Sequence, residues 1–247
     1  MDTLTDSRDF DALEDKARKM LRPGAMEFCE TGADDEISAA ENVAAWRALR
    51  LRPRILSDVT KVDISTTVIG GRLEVPILVA AMGRHMVYHA EGEAATARGA
   101  AMAGAGFTLP TNATVSIEDV AKERRQAPQW FQLYTYPDRA ITEQLLDRAA
   151  EAGYAAIAYT VDQPAPGWSP RASRTGIRPS DGLRHVNLPG KPLGSNGYDL
   201  ANRGVVRFPS SWADLDWLVK RSALPIIVKG VLRGDDAAPP WLDGIPP

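Results

Sequence analysis

The order of apolar and polar positions divides the chain into two parts. Phe10, Leu13, Ala17 and Leu21 recur at helical spacing. Pro23-Gly24 ends that run, and a second short helical segment closes at Gly32, so two helices are predicted near the N-terminus. Thr66-Thr67-Val68-Ile69 and Arg72-Leu73-Glu74-Val75 then flank Gly70-Gly71, which reads as a hairpin turn. From residue 75 the pattern becomes short apolar runs, at 75–81, 107–111, 130–134, 155–162 and 224–230, separated by stretches of helical period. Between the third and fourth runs, Ile141, Leu145, Ala149 and Ala152 share one helical face, and Gly153 stands where a helix C′ glycine belongs. Ser116-x-x-Asp119 and Ser211-x-x-Asp214 read as capping boxes that open helices. Alternation of this kind predicts a parallel sheet with helices outside it.

The repeat length is that of one βα unit of a (β/α)₈ barrel, and residues 75–247 hold about five such units. The expected fold is therefore α/β, a partial (β/α)₈ TIM barrel at 75–247 behind a helical and hairpin extension at 1–74. Residues 163–209 are dense in Pro and Gly without sustained periodicity, and are predicted to form a long excursion after the fourth barrel strand.

Composition narrows the function classes. With 44% hydrophobic and 25% charged residues the chain can bury a sizeable core, which excludes disorder throughout. Lys plus Arg number 29 against 32 Asp plus Glu, so a net charge of −3 offers no field for nucleic acid or an anionic membrane. No run reaches the roughly 18 apolar residues of a membrane span, and the first residues lack a signal-peptide core, so a cytoplasmic location is expected. Cys29 is the sole cysteine, which excludes an intrachain disulfide; it is expected to be a small buried hydrophobe.

Candidate chemistry collects at the ends of the predicted strands, where βα barrels place their sites. Gln132 and Tyr134, Thr160 and Asp162, and Lys229 supply an amide, a phenol, a hydroxyl, a carboxylate and an ammonium on three strands. Such a ring of donors and acceptors suits a flat polar heterocycle. Lys229 has two readings that spacing does not separate: neutralising charge on a reduced flavin, or pairing with Asp162. His85 and His89 have the i, i+4 spacing of a helical metal pair but no third ligand, so they read as loop histidines, and His185 reads as a solvated side chain. No Gly-x-Gly-x-x-Gly run or phosphate-loop motif is present.

Several ordered blocks carry a resemblance. They are Gly32-Ala33-Asp34-Asp35-Glu36, Leu51-Arg52-Pro53-Arg54-Ile55-Leu56, His89-Ala90-Glu91-Gly92-Glu93, Trp130-Phe131-Gln132-Leu133-Tyr134, Thr160-Val161-Asp162 and Leu224-Pro225-Ile226-Ile227-Val228-Lys229-Gly230. In order and spacing the chain resembles the FMN-dependent α-hydroxy-acid oxidases and dehydrogenases, the glycolate oxidase, lactate oxidase and mandelate dehydrogenase family. The resemblance implies FMN across the barrel mouth and oxidation of a small L-2-hydroxy acid to a 2-oxo acid. It implies that the backbone of Ala81, Met82 and Gly83 lines the flavin and that Gln132 and Thr160 bond its ring. Lys229 would face the N1 and C2-carbonyl edge, Tyr134 would touch substrate, and Asp162 would pair with the catalytic histidine. Other FMN barrel classes fit the alternation but not these blocks in order.

The departures from the family pattern qualify the expectation of activity. Pro110 stands where the family keeps a flavin-contacting serine, and Phe28 where it keeps a substrate-contacting tyrosine. Gly167-Trp168-Ser169 replaces an arginine pair, with Arg171 and Arg174 nearby but out of register. The family's catalytic His and Arg segment follows the lysine strand, and its counterpart is not found by residue 247. The expectation is thus a C-terminally incomplete family member of impaired activity, completed by another chain or a homo-oligomer. The alternative is a degenerate, non-catalytic flavoprotein fragment or interaction partner.

Overall fold

The computed structural model describes residues 9–21, 24–163, 168–175, 185–188 and 211–237. Two compact units divide the chain: Met1–Asp58 with Gly167–Asp181, and Val59–Pro166 with Gly182–Pro247.

The first unit is helical. α1 (Phe10–Met20) starts at Asp9, whose carboxylate accepts from the Ala12 amide, and carries Arg18 and Lys19 in its last turn, both favourable to the helix dipole. Gly24, at φ +92°, admits the turn into α2 (Ala25–Glu30). A further helix, α3 (Ile37–Ala48), escaped the sequence reading because its apolar residues do not gather on one face. The fragment at 168–175 includes α7 (Pro170–Thr175), which packs on α2. Arg171 clasps Glu36 with Nε and Nη2 at 3.0 and 2.9 Å. Cys29, in the last turn of α2, is exposed, contrary to expectation.

In the second unit β1 (Thr66–Val68) and β2 (Gly71–Leu73) form the antiparallel hairpin. Val68 pairs with Gly71, so the turn residues are Ile69 and Gly70, one position earlier than predicted. Gly71 joins the strand while Gly70 takes φ +97°. The indole of Trp130 donates to Ile69 O at 2.9 Å, fastening this turn to the main sheet.

That sheet is five-stranded and parallel, in the order β3 (Leu78–Val79), β4 (Gly106–Pro110), β5 (Gln129–Leu133), β6 (Ala156–Thr160) and β7 (Ile226–Lys229). Its consecutive order is that of successive βα units in a (β/α)₈ barrel. β3 is shorter than the apolar run 75–81 because Pro76 has no N–H to pair, and Ile77 N bonds locally to Val75 O. The connecting helices are α4 (Gly92–Met102), α5 (Ile117–Ala121) and α6 (Arg139–Glu151), with α8 (Trp212–Arg221) before β7 and α9 (Gly234–Ala237) after it. Ser116 caps α5, Ser211 and Asp214 make the full reciprocal box on α8, and Gly153 follows α6 at φ +80°.

Phe107, Leu109, Phe131, Leu133, Ile157 and Tyr159 alternate along the strands and pack with Ile117, Val120, Leu145, Ala149 and Leu218 from the helices. This is the dominant core. The opposite face carries Thr108, Gln132, Ala158 and Thr160, also buried but small or polar. The long excursion at 163–209 falls mostly outside the described residues. No helix among the described residues is long and apolar enough to cross a membrane.

Candidate functional site

Strand register gathers the strand-end residues. Pro110 pairs with Gln132, Gln132 with Ala158, and Thr160 with Lys229. Registered neighbours in a parallel sheet point to the same side, so Gln132, Thr160 and Lys229 share the face opposite the main core. Gln132 Nε2 donates to Thr160 Oγ1 at 2.9 Å, and both residues are 3% exposed. Gln132 Oε1 accepts from Thr111 N at 3.2 Å. Thr111 Oγ1 donates to Gln132 O at 2.7 Å and accepts from Tyr134 N at 3.1 Å. The sequence reading missed Thr111, whose side chain could be recognised only once β4 and β5 were in register.

Pro110 is accommodated by the same register. Phe107 N donates to Pro128 O, so ladder alternation turns the nitrogens of 107, 109 and 111 toward β5 and that of 110 toward β3. Paired β3 ends at Val79, opposite Phe107, and no ladder bond is interrupted there by the missing N–H.

Just past the strand ends, Lys229 Nζ lies 3.6 Å from Asp162 Oδ1, with the two side chains 45% and 44% exposed. Lys229 thus does pair with Asp162. An ion pair this open leaves the ammonium accessible to a second anionic or carbonyl partner. Burial raises the Tyr134 phenol above its usual range and the charge of Asp162 adds to the shift, so Tyr134 remains a hydrogen-bond donor at neutral pH. Tyr136, two residues on, is pushed up by burial and then by Tyr134. Its proximity to Tyr134 was a second omission of the sequence reading. Ala81, Met82 and Gly83 follow β3 at the same end of the sheet, and a Cβ on Gly83 would meet Asn112 O at 3.2 Å.

Behind this rim a buried carboxylate ties two loops together. Glu93, fully buried in the first turn of α4, accepts from His85 N, Thr114 N, Thr114 Oγ1 and Val115 N at 2.7–3.0 Å. His85, in a 3₁₀ turn (His85–Val87), bonds Thr96 Oγ1 through Nδ1 at 3.0 Å, and burial pushes its pKa down. His185 is buried, not solvated as expected. Burial, reinforced by the Arg84 guanidinium, lowers its pKa to about 4. His89 Nδ1 accepts from Glu91 N at 3.2 Å, and no group of three His, Cys, Asp or Glu side chains able to hold a metal occurs among the described residues.

The donor set fits the pyrimidine edge of a flavin, which presents two carbonyl oxygens around one ring N–H. Gln132 Nε2 keeps a second hydrogen, Thr160 keeps its hydroxyl hydrogen, and Lys229 supplies an ammonium. Arg171 is held in the first unit by Glu36 and by Glu30 O at 3.2 Å; Arg174 is exposed there.

Known proteins resemble this chain over most of its length. A family model described as FMN-dependent dehydrogenase matches residues 17–241. An L-lactate oxidase from Nostoc sp. is 40% identical over 91% of this chain and 64% of its own length. 2-Hydroxyacid oxidase 1 of Homo sapiens is 37% identical over 91% of this chain and 63% of its own. The crystal structure of a mandelate oxidase with (S)-4-hydroxymandelic acid superposes with a TM-score of 0.84 at 30% identity, covering 92% of this chain and 65% of that one. The chain therefore spans less than two thirds of the length of these relatives.

Proposed function

The chain belongs to the FMN-dependent dehydrogenase family, and on that premise we propose that its strand-end polar set holds the ring of FMN beside a small 2-hydroxy acid. One observation carries the reading: Gln132, Thr160 and Lys229, on three successive strands, face the same side of the sheet at the carboxyl ends. FMN, when bound, supplies the two-electron acceptor for oxidation of the acid's α-carbon to a 2-oxo acid.

The protein's own groups divide the remaining work. The Gln132 amide and Thr160 hydroxyl hold the pyrimidine edge, while the backbone of Ala81, Met82 and Gly83 lines the ring. Lys229 places positive charge where electron density accumulates. Tyr134, kept protonated by its surroundings, donates a hydrogen bond to the substrate. Asp162 would be the carboxylate that orients a catalytic imidazolium, a partner that none of His85, His89 and His185 supplies.

Weak turnover by residues 1–247 alone is part of the same reading. Taking the proton from the substrate hydroxyl needs a general base, typically worth about 10²- to 10⁴-fold in rate. His85 is bonded to Thr96 and His89 to the Glu91 amide, while His185 sits buried between the charges of Arg84 and Glu93. These histidines serve the loops.

The test is to titrate the purified 247-residue chain with FMN and then follow flavin bleaching without oxygen on adding glycolate, L-lactate or L-mandelate. Quenching of FMN fluorescence with bleaching far slower than a full-length relative's is expected. No quenching would defeat the flavin-site reading, and bleaching as fast as the relative's would defeat the reading of weak turnover. Quenching with no bleaching at all would favour a non-catalytic flavin-binding role.

A further inference from the structure

The rung that should close the β4–β5 ladder is built from side chains. Continuing the alternation set by Phe107 N to Pro128 O, Thr111 N should donate to Gln132 O, and Tyr134 N to Thr111 O. Instead the Thr111 hydroxyl takes both places, donating to Gln132 O at 2.7 Å and accepting from Tyr134 N at 3.1 Å. That releases Thr111 N to donate to the side-chain oxygen of Gln132 at 3.2 Å. The oxygen end of the amide is thereby anchored to a backbone donor, and the nitrogen end reaches Thr160 Oγ1 at 2.9 Å. The reversed amide would oppose two N–H groups at Thr111, a buried mismatch that disfavours the flip.

We propose that Thr111 is a positioning residue: by substituting its hydroxyl for the last ladder rung, it fixes the Gln132 amide with its nitrogen toward Thr160 and the mouth. The inference rests on the flavin-site reading for its purpose, since an amide so held presents a donor to a flavin carbonyl. Its geometry stands in the protein without cofactor. Thr111 is fully buried and Gln132 nearly so, so water does not compete for these bonds.

Valine at position 111 keeps the shape and removes the hydroxyl. Gln132 O then lacks its donor, and the only N–H in register to replace it is that of residue 111. The ordinary rung re-forms, Gln132 Oε1 loses its anchor, and the amide is free to rotate. Serine at position 111 keeps the hydroxyl and should preserve the arrangement.

The experiment records the side-chain amide N–H resonances of Gln132 in the full 247-residue chain without FMN, assigned by their loss in Gln132→Met. Wild type and Thr111→Ser are expected to show two well-separated signals that exchange slowly with solvent. In Thr111→Val the signals should move toward those of an exposed glutamine and exchange faster. FMN affinity should fall about threefold to tenfold in Thr111→Val, the worth of one neutral hydrogen bond, and return in Thr111→Ser. Thr111→Ala replaces the valine variant if circular dichroism shows that it does not fold. Unchanged Gln132 signals in the hydroxyl-less variant, or equal damage from serine, would overturn the proposal. A wild-type chain that takes up no FMN would count against the flavin site, while the amide comparison still decides the role of Thr111.

Discussion

Gly230 makes room for Asp162. A Cβ added to Gly230 would lie 2.5 Å from both Cβ and Cγ of Asp162, and the backbone there has φ +106°. The residue after the β7 lysine therefore determines where the β6 carboxylate can stand. Gly230→Ala should displace Asp162, loosen its 3.6 Å approach to Lys229 and cost about 1–3 kcal/mol through strain and overlap. Urea denaturation of the variant measures this; an unchanged midpoint would show that neither strain nor overlap is felt.

Lys229→Met is expected to separate stability from cofactor binding. With both partners nearly half exposed, the Lys229–Asp162 pair contributes less than about 1 kcal/mol to folding. If Lys229 faces the flavin, the same change should weaken FMN binding clearly while the urea midpoint hardly moves. Loss of stability with unaltered FMN affinity would assign Lys229 a structural role only.

Glu93→Gln should be one of the more damaging single-atom changes in the molecule. The carboxylate accepts four hydrogen bonds within the first turn of α4, where a negative charge is also favoured by the helix dipole. Glutamine puts an NH₂ group against donors from Thr114 and Val115, and a cost of about 2–4 kcal/mol is expected. Thermal and urea unfolding against wild type test it, and a loss below about 1 kcal/mol would mean that the loops rearrange freely.

His185 should make the protein acid-sensitive. Its folded pKa of about 4 lies below the ordinary 6.5, so the unfolded chain takes up a proton that the folded chain refuses. Stability is fully present above about pH 6.5 and is lost as the pH falls toward 4, at about 1.4 kcal/mol per pH unit for one such group. His85, also pushed down by burial, acts in the same direction. Comparing urea midpoints at pH 7 and pH 5 should show a smaller drop in His185→Gln than in wild type; identical drops would clear His185 of the effect.

Much of this molecule was legible in one dimension. Short apolar runs such as 130–134 and 155–162, and helical faces such as Leu145 and Ala149, express burial directly, so five parallel strands with outer helices could be read from pattern alone. Local chemistry was equally visible: the Ser211–Asp214 box and the glycine after α6 depend only on near neighbours. The polar strand ends, too, stood out as a set of residue types. What tertiary structure decided was every relation between positions distant in sequence. His185 is buried because the loops after β3 and β4 enclose it, and Thr111 matters because register sets it against Gln132, 21 residues away. Gly230 matters because Asp162 leans on it, 68 positions earlier in the chain. A sequence records which groups a chain carries and their local periodicity; strand register and loop closure settle which of them meet, because hydrogen bonds and ion pairs act over a few ångströms of space irrespective of separation along the chain.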